Sequence, residues 1–136
     1  MQMQFDIQGG DFSAAGEASS EVKKALKQLN IQPQTLRRIA VALYEAEVNV
    51  VAHAYRGTMT VDISPARILV QLQDEGPGID DIGKAMEEGF STASDKVREM
   101  GFGAGMGLPN IKKNSDEMHL TSTPGTGTTL EIIVNF

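Results

Sequence analysis

The chain has 136 residues, 40% of them hydrophobic, with a net charge of −6 and no cysteine. That length supports one domain with its own core and leaves little room for a second. No apolar run nears the roughly 20 residues of a membrane-spanning helix. Disulfides and thiolate metal sites are excluded, and the acidic balance argues against nucleic acid as a partner, because phosphate backbones are held by Lys and Arg.

Residues Gln2–Gln8 alternate as a strand does, with Met3, Phe5 and Ile7 on one face, and Gly9-Gly10 closes the run. Met1 leads into this alternation and not into a basic segment followed by an apolar block, so no secretory leader is expected, and the lack of cysteine fits a cytoplasmic location. Residues 13–29 read as an amphipathic helix with Val22, Leu26 and Leu29 on one stripe. Residues 30–33 break it, and Pro33 suits the first turn of a second helix. That helix is expected to run to residue 54, since Leu36, Ile39, Ala40, Leu43 and Val50 keep a helical period. Residues 58–64 and 67–73 look like paired strands with a tight turn near Pro65. Short helices are expected over 79–88 and 107–114. The stretch 89–106 between them is rich in Gly, Ser and charge, as a lid would be. Residues 117–122 and 128–136 finish the chain as strands around Pro124-Gly125-Thr126-Gly127. The expected class is α+β, with helices gathered on one face of a mixed, mainly antiparallel sheet.

Three stretches carry candidate chemistry. On the long helix, Leu36, Leu43 and Val50 mark a core face, whereas Glu45, Asn49, Ala52 and His53 fall on another. Ala42, Ala46 and Ala52 are expected to leave space around the polar pair. A carboxylate and a carboxamide one turn apart can serve a reacting proton and a hard cation, although a solvated helix face would look the same. Next, Asp74-Glu75-Gly76-Pro77-Gly78 ends a strand with an acid and two glycines. A flat ring could approach there, and plain turn chemistry fits equally. The third stretch has glycines at 101, 103, 105 and 107. It matches neither the P-loop nor the dinucleotide fingerprint. Leu108 and Ile111 nevertheless promise a helix starting at Gly107, whose N–H groups would point back at an anion. His53 is expected to be structural, and His53 with His119 lacks a third ligand at metal-binding spacing.

In order and spacing these motifs resemble the Bergerat-fold (GHKL) ATP-binding superfamily, which includes gyrase, heat-shock chaperones, histidine kinases and anti-sigma-factor serine kinases. The resemblance spans nearly the whole chain. Glu45-Ala-Glu-Val-Asn49 matches the N box, Asp74-x-Gly76-x-Gly78 the first glycine box, Gly103-x-Gly105-x-Gly107 the second, and Gly125-Thr-Gly127-Thr128 the last. The runs Glu45-x-x-x-Asn49-x-x-x-His53-Ala54-Tyr55 and Gly107-Leu108-Pro109-Asn110-Ile111 are most similar to the anti-sigma and stress switch-kinase branch. The resemblance implies an ATP-dependent serine/threonine kinase or, alternatively, an ATP-gated binding module. It implies Glu45 as general base, Asn49 as the Mg²⁺ ligand, and Asp74 with Thr128 at the adenine amino group. Gly76 and Gly78 would lie beside the ring, with Gly103, Gly105, Gly107 and Leu108 at the phosphates. The implied partner is a STAS-domain anti-anti-sigma or stressosome-like protein, with a sigma factor or phosphatase as further candidates and homodimers among relatives. Residues 93–102 make this lid longer than is usual in that branch, and Val50 stands where many relatives carry Ala.

Overall fold

The computed structural model describes residues 1–87 and 107–136. The alternating amino terminus forms β1 (Gln2–Gln8), which pairs with β2 (Arg56–Ile63). β2 turns at Ser64 into β3 (Arg67–Glu75), where the Ser64 hydroxyl accepts the Arg67 amide and the Ser64 amide meets the Arg67 carbonyl. The chain ends in the hairpin β4 (Glu117–Thr123) and β5 (Gly127–Asn135), with β5 inserted between β3 and β4. The sheet order is β1-β2-β3-β5-β4, and all described pairs are antiparallel, so the expected mixed component is absent among the described residues.

Register explains the core. Rows of facing residues cross the sheet as Ile63–Ile68–Val134, Val61–Val70–Ile132 and Met59–Leu72–Leu130, and every member is buried. One face is therefore continuously apolar while the alternate positions are mostly polar, the facing pair Leu69 and Ile133 excepted, which is the pattern of a sheet covered on a single side.

The cover is helical. After a 3₁₀ turn at Phe12–Ala14 comes α1 (Glu17–Gln28), which starts later than residue 13 because Gly16 takes a left-handed conformation at φ 97°. Val22 and Leu26 are fully buried, each contributing roughly 1.5–3 kcal/mol, whereas Leu29 lies past the helix end and is exposed, contrary to expectation. Asn30 then takes φ 57° and reverses the chain.

Pro33 opens α2 (Pro33–His53), whose 21 residues span about 31 Å across the sheet. Ala42 and Ala46 were expected to leave free space, but they are buried in the core, where their small size lets α2 lie close to its neighbours. The helix expected over 79–88 is a single turn, α3 (Ile82–Ala85), capped by the Asp81 side chain on the Lys84 amide. The last helix is α4 (Gly107–Lys113), which packs on α2 through Leu108 and Ile111. Among the described residues no helix is long and apolar enough to cross a membrane.

Candidate functional site

Continue the apolar rows one step toward the carboxyl end of β3 and the pattern breaks. The next row on the helix side pairs Gly57 with Asp74 and Thr128 with Ser122, so four strands contribute a glycine, an acid and two hydroxyls where core residues would otherwise follow. The Thr128 amide donates to Asp74 Oδ1 at 3.0 Å and so bridges the two halves of this row. Gly57 is buried, and a Cβ there would come within 2.9 Å of Val50 Cγ1 and 3.3 Å of Asp74 Cβ. A side chain at 57 would therefore press on the acid and on α2 together.

Asp74 is half-buried, and loss of solvent raises its pKa above the ordinary carboxylate value, opposed in part by the Thr128 amide. At the far end of α2, burial lowers the pKa of His53, because loss of solvent disfavours its charged form.

Gly76 and Gly78 form the turn after β3. A Cβ on Gly76 would sit 3.0 Å from Ala54 Cα, and one on Gly78 would sit 2.5 Å from the Thr123 carbonyl oxygen. Gly78 also has φ 73°, which side chains rarely adopt. At both Cβ positions the close approach expected of a flat ring is taken by protein atoms. The turn is locked further when the Ser122 hydroxyl accepts the Ile79 amide at 2.7 Å and the Gly76 amide reaches the Thr126 carbonyl. Gly127 packs against Asp74 so tightly that a Cβ would meet its carbonyl oxygen at 2.0 Å.

The second half of the site lies between α2 and α4. Glu45 and Asn49 are partly exposed one turn apart on α2. The Asn110 amide approaches Glu45 Oε1 at 3.5 Å, and a Cβ on Gly107 would lie 3.5 Å from Glu45 Oε2. The carboxylate thus stands at the start of α4, beside the last glycine of the second glycine box. Leu108 sends its side chain into the core, so only its backbone faces this junction. Gly103 and Gly105, and the lid expected over 89–106, lie outside the described residues.

Asn49 supplies a neutral oxygen of the kind a hard cation accepts, and the described residues hold no cluster of three or more His, Asp or Glu side chains able to bind a metal by themselves. A separate polar cavity of about 830 Å³ at the same sheet end is lined by Asp74 and Thr128 together with Gln8, Thr58, Gln73 and Thr129. Glu45 and Asn49 do not line it, because the alternation of β2 and β3 turns Thr58 and Gln73 toward the face without helices.

Three residues of the neighbourhood escape sequence reasoning. Gly57 and Ser122 sit in strands with no motif of their own, and only register brings them beside Asp74. Glu47 lies inside the Glu45–Asn49 motif but points the other way. It is 2% exposed and accepts the amides of Gly16, Ala18 and Ser19 and the Ser19 hydroxyl.

Residues 11–134 match the histidine kinase-like ATPase domain. The chain is 33% identical over 115 residues to the serine/threonine-protein kinase RsbT of Bacillus subtilis, covering 82% of this chain and 80% of that protein. It is 37% identical over 106 residues to an anti-sigma F factor of a Thermoanaerobacter species, covering 74% and 71% respectively. A solved structure of the SiaB–SiaC complex from Pseudomonas aeruginosa has the same fold, with a TM-score of 0.64 at 12% identity over 97% of this chain and 88% of that one.

Proposed function

The chain belongs to the histidine kinase-like ATPase domain family, and on that premise we propose that it is an ATP-dependent protein serine/threonine kinase of the anti-sigma and switch-kinase type. Its substrate would be a small cytoplasmic regulatory protein with a STAS-like domain. The observation that carries this reading is the position of Glu45, one turn before Asn49 and beside both Gly107 and Asn110. A module that only bound nucleotide would need an adenine acceptor and a metal ligand, but no base at the phosphate end.

In this reading Asp74 accepts from the adenine amino group, and Thr128 holds the carboxylate through its own amide. Asn49 would hold Mg²⁺, which neutralises phosphate charge when bound. Gly107, with Gly103 and Gly105, would line the phosphates. Glu45 takes the proton of the partner's serine or threonine hydroxyl as that oxygen attacks the terminal phosphorus and the bond to the leaving ADP oxygen breaks.

A second reading, an ATP-gated anti-sigma or effector-binding module with little transfer activity, is favoured by the likeness to anti-sigma F factors. One experiment separates the two. Glu45→Ala should leave ATP affinity near that of the parent and lower labelled-phosphate transfer to a bound STAS-domain partner by roughly 10²–10⁴, the usual contribution of a positioned base. A partner that binds the parent in an ATP-dependent way and never receives phosphate would favour the binding module.

A further inference from the structure

The hydroxyls of Ser122 and Thr128 are close enough that each decides what the other can do. Ser122 Oγ accepts the Ile79 amide at 2.7 Å, lies 3.1 Å from the Gly127 carbonyl oxygen and 2.9 Å from Thr128 Oγ1. A carbonyl can only accept, so the single Ser122 proton goes to Gly127. The contact between the two hydroxyls must then use the proton of Thr128. The reverse arrangement would leave the Gly127 carbonyl without this donor and make one hydrogen bond fewer.

The consequence concerns whatever sits beside Asp74. With its proton held by Ser122, Thr128 Oγ1 offers only lone pairs to a neighbour. Asp74 also offers only acceptors, with Oδ1 already held by the Thr128 amide. Two adjacent acceptors favour a ring edge that carries an amino group and disfavour one that carries an oxo group, because the oxo oxygen would meet lone pairs and lose its hydrogen bond. We propose that Ser122 is a positioning residue that sets the purine selectivity of this site by holding the Thr128 hydroxyl as an acceptor. The inference rests on the proposed ATP reading and adds to it a residue that acts through Thr128. Without Ser122 the Thr128 proton is free to turn toward the ring, and the site no longer distinguishes amino from oxo by this route.

Titration calorimetry of the full chain with ATP and with inosine triphosphate, which differ at that ring position, tests the idea. The parent should prefer ATP. Ser122→Ala should reduce the ratio of the two affinities about tenfold, the effect of roughly one redirected hydrogen bond. Ser122→Thr, which keeps the hydroxyl, should preserve the ratio. Ser122→Cys, close in size but a poor acceptor, should lower it and serves if the alanine variant does not fold. Thr128→Val should show the same loss, and adding Ser122→Ala to it should change the ratio no further. If Ser122 matters only through its tie to Ile79, ATP and inosine triphosphate weaken together and the ratio stands, which overturns the inference and leaves the kinase reading intact. A parent that does not distinguish the two nucleotides overturns the adenine assignment and this inference together.

Discussion

The Ser19 hydroxyl donates to Glu47 Oε1 at 2.6 Å, which fastens the first turn of α1 to the middle of α2. The other carboxylate oxygen takes the amides of Gly16 and Ala18, and Oε1 also takes the Ser19 amide. α1 has no capping side chain of its own, so a buried acid from a neighbouring helix caps it, at the end where unpaired amides favour negative charge. Glu45 and Glu47 are two residues apart on α2 and therefore project in nearly opposite directions. One holds the scaffold together while the other stands in the site.

Glu47→Ala should accordingly cost stability without entering the chemistry. Three amides and a hydroxyl would lose their acceptor in a buried place, a loss of roughly 2–4 kcal/mol. Glu47→Gln keeps one oxygen but turns an amide donor toward donors, so it should recover only part of this. Urea unfolding measures both variants. Parent-like stability in Glu47→Ala would mean that water replaces the carboxylate.

Asp74→Asn should separate binding from stability. Loss of a charge-assisted acceptor weakens ATP binding by roughly 1.5–3 kcal/mol. Burial raises the Asp74 pKa, so its ionised form is disfavoured in the folded chain relative to the unfolded one. The resulting destabilisation is absent below the ordinary carboxylate pKa and develops as pH rises through the raised value. Nucleotide-free Asp74→Asn should thus match the parent at about pH 3 and melt at or above it at about pH 7. Thermal melts at the two pH values decide this, and a variant less stable than the parent only at neutral pH would contradict the sign.

Asn49→Ala should remove the magnesium contribution and spare ring recognition, because Asn49 is on α2 while Asp74 and Thr128 are anchored to each other across the sheet. The affinity gained on adding Mg²⁺ should be largely lost in the variant, with metal-free affinity unchanged. Equal magnesium enhancement in parent and variant would remove Asn49 from the metal site.

Gly78→Ala should be poorly tolerated for two separate reasons. Its φ of 73° costs a side chain about 1–2 kcal/mol, and the new Cβ would press on the Thr123 carbonyl at 2.5 Å. The backbone must shift there, and the β4–β5 hairpin that carries Ser122 and Thr128 must shift with it. The expected result is a loss of about 2–3 kcal/mol in urea unfolding, accompanied by weaker ATP binding. Normal stability with normal affinity would show that the turn can relax at little cost.

Helix and strand periods reveal most of the architecture before any coordinates. The strand at Gln2–Gln8, the long helix from Pro33, the hairpin around Pro65 and the two final strands all stand near their expected places, because each buries one regular apolar face. The order of the Glu45, Asp74 and glycine motifs likewise identifies the family, since those residue types meet local backbone and chemical demands that a linear pattern records. Other features depend on contacts between segments far apart in the chain. Nothing near Glu47 in sequence shows that its partners are Gly16, Ala18 and Ser19, and nothing near Ser122 shows that it meets Ile79. Ala42 and Ala46 have the same composition whether they border a cleft or fill a helix contact, and packing against the sheet decided for the contact. The sequence determined which surfaces must be buried and which residue types could do chemistry. Tertiary structure decided how donors and acceptors pair, because hydrogen-bond polarity depends on which strands lie side by side and in what register.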